Sequence, residues 1–202
     1  MIALIYAHPH PDRSVAGRAL LEAVRDLPQL NLRSLYDLYP DFSIDVAAER
    51  ELLVRSRLIV WQHPIYWYTA PSLLKLWFEA VLGRGWAYGR GGEALRGKDC
   101  LWVTTTGAPI DGYTSGGAHA HEFAAFEPVV RQTAQFCGMR WLEPLVIHGA
   151  HLDPDELARG AAQYRALLDE YVGSHSSVHP SPPAPLPQGE RGEGQRGVRR
   201  EV

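Results

Sequence analysis

One stretch decides the fold of this 202-residue chain: Leu58-Ile59-Val60-Trp61-Gln62-His63-Pro64-Ile65-Tyr66-Trp67-Tyr68. Its first three residues form a short apolar block, which is typical of a strand buried on both faces of a parallel sheet. A loop rich in aromatic side chains follows, and Pro64 favours an extended conformation for the residue before it. A helix is then predicted to begin at Pro71, because proline is accepted at the first position of a helix.

The aromatic loop admits two interpretations. Open α/β sheets bind ligands at the carboxyl ends of their strands, and residues 65–68 follow such an end. The loop either forms the wall of a pocket for a flat, conjugated ligand or packs beneath a neighbouring loop. Taken alone, the loop favours neither interpretation over the other.

The rest of the chain repeats the pattern of strand and helix. Apolar runs predict further strands at 2–7, 30–36, 99–104 and near 145–148. Apolar positions at helical spacing predict helices over 15–27, 45–53, 71–82 and 157–171. Five strands alternating with helices predict an α/β fold, a doubly wound five-stranded parallel sheet in the order 2-1-3-4-5. In this order the loops 8–17, 63–68 and 105–108 lie side by side.

Composition excludes several classes of protein. The net charge of −3 gives no reason to expect a nucleic-acid partner. No apolar run approaches the roughly 20 residues of a spanning helix. The first six residues enter a strand without a basic region, so we expect no signal peptide and a cytoplasmic protein. Cys100 and Cys137 sit among apolar residues, which favours packed thiols and leaves a disulfide as the alternative.

The chain is predicted to contain one domain, residues 1–172, followed by a tail. Residues 173–202 are rich in proline, then in glycine, glutamate and arginine, and contain few apolar side chains. Such a composition cannot bury enough surface to offset the entropy of ordering, so this Pro/Gly-rich tail is predicted to be disordered.

The start of the first helix is a candidate phosphate site. Ser14 is well placed as its N-cap. The backbone N–H groups around Val15, Ala16 and Gly17 would then be free, at the positive end of the helix dipole. The alternative is that Ser14 only caps the helix.

Other motifs give no function. Residues 92–98 resemble a nucleotide P-loop, but Asp99 replaces the required serine or threonine and the segment precedes a strand. Neither His8 with His10, nor His119 with His121 and Glu122, has the spacing of a zinc motif, so no metal is predicted. The Gly-x-Ser-x-Gly signature of hydrolases is also missing.

A phosphate-accepting helix start, an aromatic loop and a Thr-Thr-Gly loop on one sheet edge together fit FMN. The phosphate would lie at residues 14–17. The isoalloxazine ring would lie between residues 65–68 and the backbone of 105–108, where Gly107 permits a close approach.

Several motifs resemble the flavodoxin-like NAD(P)H:quinone reductase family across residues 1–172. They are Tyr-Ala-His-Pro (6–9), Ser14, Trp-Gln-His-Pro (61–64), Trp-Tyr (67–68), Pro-Ser-Leu-Leu-Lys-Leu-Trp (71–77), Gly-Trp-Ala-Tyr-Gly (85–89), Thr-Thr-Gly (105–107) and Phe-Cys-Gly (136–138). Within the family, the chain most resembles the ancillary subunits of bacterial glutathione-gated potassium efflux systems. Tyr39-Pro40-Asp41-Phe42 and residues 61–64 carry that closer resemblance.

The resemblance implies a flavodoxin-like fold, bound FMN, two-electron reduction of quinones by NAD(P)H, and a homodimer with active sites at the subunit interface. The FMN contacts it implies are His8, Ser14, Val15, Ala16, Gly17, Ile65, Tyr66, Trp67, Tyr68, Thr105, Thr106, Gly107 and Ala108. One departure from the family pattern is Ala108-Pro109, which replaces the second glycine and small residue that often follow Thr-Thr-Gly and stiffens the loop.

The resemblance also implies a catalytic pair. Tyr113 and His119 lie six and twelve residues beyond Gly107, the spacing of the tyrosine–histidine pair in these reductases. Tyrosine can donate a hydrogen bond to the reacting ring, and histidine can take up a proton. The alternative is that both are ordinary polar residues on a glycine-rich loop that ends near Pro128.

Three functions follow from these patterns. The first is an FMN-dependent NAD(P)H:quinone oxidoreductase. The second is a regulatory subunit that activates a potassium efflux antiporter and reaches the inner membrane through that partner. The third is a one-electron carrier, which the mild charge and the sequence His8-Pro9-His10-Pro11 disfavour.

Overall fold

The computed structural model describes residues 1–175 and contains one parallel sheet of six strands. The strands are β1 (Ile2–Tyr6), β2 (Leu30–Ser34), β3 (Leu58–Pro64), β4 (Asp99–Thr105), β5 (Arg140–Trp141) and β6 (Leu145–Ile147). Their order is β2-β1-β3-β4-β5, and β6 also pairs with β4. The predicted α/β class and the order of the strands are therefore confirmed.

Helices cover both faces of the sheet. They are α1 (Val15–Val24), α2 (Leu35–Leu38), α3 (Val46–Arg55), α4 (Ser72–Val81), α5 (Glu127–Phe136) and α6 (Pro154–His175). Helices α1 and α6 pack on one face, and α2 to α5 pack on the other. None of these helices, within residues 1–175, has the length and apolar character needed to cross a membrane.

Burial on two sides explains the continuous apolar runs of the central strands. In β1, Ile2 and Leu4 pack toward α1 and α6, whereas Ala3 and Ile5 pack toward the opposite layer. All five residues of β1 are buried. A strand that is covered on both faces has no polar side, so its sequence shows no alternation.

The fifth position in the sheet differs from the prediction, because two short strands share it. β5 pairs with Asp99 and Cys100 at the start of β4, and β6 pairs with residues 103–105 at its end. Pro144 lies between them and has no N–H to donate to the ladder. The interruption is tolerated because these strands form the edge of the sheet.

Several boundaries also differ from the predictions. β2 ends at Ser34 and the chain turns directly into α2, whereas a strand was expected up to residue 36. Helix α5 was not predicted, and Pro71 is the N-cap of α4 rather than its first residue. Helix α6 continues to His175, beyond the predicted domain boundary at 172. The predicted tail from 176 to 202 lies outside the described residues.

The two cysteines are free thiols, and both are buried. Burial raises the pKa of Cys137 to about 11 and raises that of Cys100 as well. Thiols that stay protonated at neutral pH are unreactive, so the expectation of packed thiols is confirmed.

A buried carboxylate explains one of the motifs, Tyr39-Pro40-Asp41-Phe42. Glu49 on α3 has no exposed surface and accepts hydrogen bonds from Arg33, the Tyr39 hydroxyl and the Trp77 indole, at 2.6–3.0 Å. These donors come from β2, from the segment after α2, and from α4. A buried charge with several donors on different elements fixes how those elements pack, because loss of Arg33 leaves the charge uncompensated and loss of Tyr39 or Trp77 leaves it short of a hydrogen bond.

His63 is a second buried titratable group, at the end of β3. Its Nε2 accepts a hydrogen bond of 2.9 Å from the Trp102 indole of β4, so the proton of the neutral ring is on Nδ1, 2.9 Å from the Pro64 carbonyl oxygen. Burial lowers the pKa of His63 from 6.5 to about 4, because the charged ring would be desolvated. The ring is therefore neutral in the folded protein at pH 7.

This depressed pKa makes stability depend on pH. Between about pH 6.5 and pH 4 the unfolded chain protonates His63 and the folded chain does not. We expect the free energy of unfolding to fall on acidification in this window, by about 1.4 kcal/mol per pH unit from this residue alone. Urea unfolding at several pH values will measure it. His63→Gln keeps an acceptor for Trp102 but does not titrate, so its slope should be shallower; parallel curves for the two proteins would contradict the assignment.

Candidate functional site

Three loops meet at the carboxyl ends of β1, β3 and β4 and enclose a cavity of about 300 Å³. The lining includes many of the expected contact residues: His8, Ser14, Val15, Ala16, Ile65, Tyr66, Thr105, Thr106 and Gly107. The expected contacts Gly17, Trp67, Tyr68 and Ala108 lie on the same loops but do not line the cavity. Arg13, Pro64, Ala150 and His151 complete the lining and were not predicted.

The first wall is the start of α1. The Ser14 hydroxyl accepts a hydrogen bond of 3.0 Å from the Gly17 N–H and so caps the helix, as expected. The N–H groups of Val15 and Ala16 precede the first helical hydrogen bond and are free to meet a ligand. Arg13 adds a positive charge to the same wall. This arrangement suits an anionic group such as a phosphate.

Gly17, in the first turn of α1, is closely packed against the residues beneath it. A Cβ atom at Gly17 would lie 2.3 Å from the Tyr6 hydroxyl oxygen and 2.5 Å from the Ser14 Oγ, so only glycine fits. The Tyr6 hydroxyl is itself buried and makes no hydrogen bond of good geometry within residues 1–175. Only glycine at this position lets the start of α1 lie so close to Tyr6 and Ser14.

The second wall is a tight turn after β3. Tyr66 and Thr69 exchange both backbone hydrogen bonds, at 2.9 and 3.0 Å, and the two residues between them have positive φ angles. Trp67 has φ 47° and Tyr68 has φ 64°, a conformation that is unfavourable for bulky side chains. The Trp67 side chain is 90% exposed. Backbone strain together with an exposed tryptophan is typical of functional segments rather than of packing.

The third wall is the loop after β4. The Thr106 hydroxyl donates to the Ala108 carbonyl oxygen at 2.6 Å and lies 3.1 Å from His148 Nδ1. A Cβ on Gly107 would meet only the His151 ring, at 3.5 Å, so the backbone there is open to a ligand. The backbone at Gly107 thus has open space beside it on the cavity side, and the close approach of a ligand there stays a prediction.

The expected catalytic pair is brought together beside these walls. The rings of Tyr113 and His119 stack with centroids 4.2 Å apart and planes 15° apart. His119 Nδ1 lies 3.5 Å from the hydroxyl of Tyr68, the aromatic residue of the second wall. Tyr113 is 5% exposed, and burial raises the pKa of its phenol. The two rings are therefore stacked, and His119 Nδ1 faces the Tyr68 hydroxyl rather than Tyr113.

Three side chains from motifs singled out in the sequence lie outside the cavity. The Lys98 ammonium donates to the carbonyl oxygens of Val54 and Ser56, at the amino ends of the strands and far from the cavity. Trp86 and Tyr88, from the motif at residues 85–89, do not line the cavity; Trp86 lies beneath the Arg50 guanidinium, at 4.7 Å from its ring centre. Within residues 1–175 no group of three or more His, Cys, Asp or Glu side chains could hold a metal ion.

Besides Arg13, the polar residues of this region that sequence reasoning missed are His148 and His151. They follow β6, and the carboxyl ends of parallel strands are where ligands bind. The signal was therefore present in the sequence. It was overlooked because neither histidine belongs to a motif.

Comparison with known proteins gives a family and several similar proteins. The family described by its flavodoxin-like fold matches residues 1–172. The glutathione-regulated potassium-efflux system ancillary protein KefF of Citrobacter koseri is 47% identical over 164 residues, which cover 81% of this chain and 92% of that protein.

Three solved structures are also similar. One, described as a thermophilic tryptophan halogenase from Streptomycin violaceusniger, is 40% identical with a TM-score of 0.78 and covers 83% of this chain and 98% of its own. General stress protein 14 of Treponema denticola, solved in complex with FMN, is 36% identical with a TM-score of 0.79. The match covers 84% of this chain and 98% of that protein. An NADPH-quinone reductase from P. pentosaceus is 27% identical with a TM-score of 0.74 and covers 83% and 96%. The match over residues 1–172 and the identity to KefF show that this chain belongs to the flavodoxin-like fold family.

Proposed function

We propose that this chain is an FMN-dependent NAD(P)H:quinone oxidoreductase that transfers two electrons, as a hydride, to quinones. One observation carries the proposal: an anion-binding helix start, an aromatic turn and a glycine-containing loop border one cavity at the carboxyl ends of three strands. The solved relatives support the ligand and the substrate class, since one contains FMN and another is an NADPH-quinone reductase.

The start of α1 would hold the FMN phosphate. The free N–H groups of Val15 and Ala16, the helix dipole and the charge of Arg13 all favour a dianion at this place. Gly17 lets the first turn of α1 pack closely on the residues beneath it, because any larger residue would clash with Tyr6 and Ser14. One phosphate-binding wall is consistent with a mononucleotide.

The turn at residues 66–69 and the backbone of 105–107 would hold the flavin ring. The Ile65 N–H donates to the Thr105 carbonyl oxygen at 2.9 Å, so the two walls keep a fixed separation. When bound, FMN supplies the capacity to accept a hydride from NAD(P)H and to pass it to a quinone. The walls orient the ring and exclude water from one of its faces.

Tyr113 and His119 would assist the transfer. Negative charge that develops on the ring oxygen and nitrogen atoms needs hydrogen-bond donors. Burial raises the pKa of the Tyr113 phenol, so the phenol keeps its proton at neutral pH and can donate it to a hydrogen bond. The stacked imidazole of His119 orients Tyr113, and an imidazole can exchange a proton with quinone or solvent.

The cofactor is tested first. The purified protein is expected to be yellow and to release FMN rather than FAD on denaturation. Gly17→Ala should weaken FMN binding by about tenfold or more, since overpacking costs about 1–3 kcal/mol, and should weaken riboflavin binding less. Tyr6→Phe added to Gly17→Ala removes the 2.3 Å contact and should recover part of the affinity. Fluorescence titration of FMN and of riboflavin into the wild type and the two variants measures these affinities. A colourless wild type that cannot be reconstituted with FMN would exclude the proposed function.

The catalytic pair is tested by kinetics. Tyr113→Phe and His119→Gln should retain FMN but slow its reduction by NAD(P)H by about ten- to a thousand-fold, because charge stabilisation or proton exchange is lost. Stopped-flow absorbance follows the reduction, and Tyr88→Phe, on a side chain outside the cavity, is the matched control. Tyr171→Phe, whose hydroxyl donates to Asp99 at the opposite end of β4, is a second control that lies outside both the cavity and the groove between α4 and α5. Rates equal to the wild type in both active-site variants would remove these two residues from the mechanism.

A second function is favoured by the 47% identity to KefF, which is an ancillary protein of a potassium-efflux system. As a regulatory subunit, this chain would bind a potassium efflux antiporter and reach the membrane through it. The tagged protein should then recover an antiporter from detergent-solubilised inner membranes of its own cell. Recovery equal to that of the tag alone would contradict the regulatory function and leave the reductase unaffected.

We also propose that the chain is a homodimer. An apolar groove of about 670 Å³ lies between α4 and α5, beside Thr69 of the aromatic turn. Val129 and Phe136 on its rim are 64% and 62% exposed, and large exposed apolar surfaces are typical of interfaces. A single-chain mass in sedimentation velocity at micromolar concentration would contradict the dimer.

A further inference from the structure

A second cavity lies at the amino ends of the central strands, on the edge of the sheet opposite the proposed flavin site. This amino-edge cavity has a volume of about 580 Å³, and residues just before β1, β3 and β4 and at the end of α6 line it. Four of the lining side chains are cationic: Arg55, Arg57, Arg96 and Lys98. Within residues 1–175 no aspartate or glutamate lines the cavity, although the whole chain carries a net charge of −3.

Arg57 has a fixed backbone and an exposed side chain. Its N–H donates to the Met1 carbonyl oxygen at 3.0 Å, and its carbonyl oxygen accepts from the Asp99 N–H at 2.9 Å. These two bonds extend the pairing of β3 with β1 and with β4. The guanidinium makes no hydrogen bond or ion pair with another side chain in the part of the chain that the structure describes. Its donors are therefore available to a ligand.

The Lys98 ammonium lies against the same segment. It donates to the carbonyl oxygens of Val54 and Ser56, both at 2.7 Å, which lie on either side of Arg55. An ammonium group has three hydrogens, so these two bonds leave one for a further acceptor. The two carbonyl groups lie at the end of α3, where a cation also stabilises the helix dipole. This capping explains the position of Lys98, but it does not explain that of Arg57.

The other two cations have only weak partners. Arg55 pairs with Glu51 at 3.3 Å, and Arg96 pairs with Glu93 at 3.0 Å. All four of these side chains are more than half exposed, and ion pairs of this kind contribute little because water screens them. Both guanidinium groups can therefore exchange these partners for a ligand at a small cost.

The carboxylate next to Lys98 in the sequence does not neutralise the cavity either. Asp99 is buried and accepts hydrogen bonds from Arg140 and the Tyr171 hydroxyl, at 2.8 and 2.6 Å. Burial lowers the pKa of Lys98, because the ammonium loses water and gains no counter-charge. An anion in the cavity would supply that counter-charge.

We propose that the amino-edge cavity binds a phosphate group, carried either by a free phosphorylated small molecule or by an anionic lipid headgroup. Guanidinium groups bind phosphate through pairs of parallel hydrogen bonds, and an ammonium adds a point charge. A phosphate offers more acceptor oxygens and more charge than a carboxylate, which suits a site with several cations. The volume lies within the range of small-molecule sites. The cavity is separate from the flavin site, so this proposal does not depend on the proposed function.

NMR titration of the full chain with glycerophosphate tests the site. The amide signals of Arg57, Gly97 and Lys98 should shift in a saturable way, and signals of Val15 and Ala16 report separately on the start of α1. Sodium acetate at the same ionic strength is the control for general screening, and it should leave the three signals nearly unchanged.

Two substitutions test the cations. Arg57→Gln and Arg96→Gln should each weaken the affinity for glycerophosphate at this site by about tenfold, because each removes a charge-assisted pair of hydrogen bonds. Arg159→Gln removes the same charge from an exposed arginine of α6 outside the cavity and should keep the wild-type affinity. Melting temperatures confirm that the variants remain folded.

Co-sedimentation with vesicles distinguishes the two sources of phosphate. Binding to phosphatidylglycerol vesicles but not to phosphatidylcholine vesicles, with a loss in Arg57→Gln, would identify a lipid headgroup. Saturable binding of glycerophosphate without binding to vesicles would identify a free small molecule. Three results would each overturn the proposal: no saturable binding of either probe, equal shifts with acetate, or wild-type affinity for both probes in Arg57→Gln and Arg96→Gln.

Discussion

The ladder between β3 and β4 is the constraint on which the site depends. It joins seven pairs of residues, from Leu58 with Asp99 to Pro64 with Thr105, so both strands end at the same level of the sheet. The Ile65 N–H extends the pairing by one bond to the Thr105 carbonyl oxygen. Hydrogen bonding in register leaves no freedom for one loop to slide past the other. Two walls of the cavity are consequently held at a fixed separation before any ligand arrives.

The first wall, the start of α1, is tied to the same ladder by Gln62. Its backbone carbonyl accepts from the Ala7 N–H at 3.0 Å, and its side-chain amide donates to the Gly17 carbonyl oxygen at 3.3 Å. The start of α1 therefore rests on β3 as well as on its own strand. A buried glutamine thus links a strand to a helix start, and within residues 1–175 its Oε1 has no hydrogen-bond partner.

The site is also where the chain departs from the most stable arrangement. Trp67 and Tyr68 adopt a left-handed backbone conformation. This conformation costs an ordinary residue about 1–2 kcal/mol, and asparagine or glycine would adopt it at a lower cost. The Trp67 side chain gains little from packing, since most of it is exposed. Stability alone would not select these residues. Contact with a ligand or with a second chain at this turn would account for these residues, which agrees with the proposed flavin site and dimer.

The sequence by itself determined the α/β class, the strand order, the N-cap at Ser14 and the meeting of three loops, because buried parallel strands and helix starts leave local patterns. It could not show that the edge position is split around Pro144, since a two-residue strand has too little periodicity to be recognised. The stacking of Tyr113 on His119, the burial of His63 against Trp102 and the contact of His148 with Thr106 were likewise invisible. The last two contacts join residues from different strands or loops, and the first depends on how one long loop folds back on itself. Only the packing of the layers and loops around the sheet decides which of those side chains come into contact.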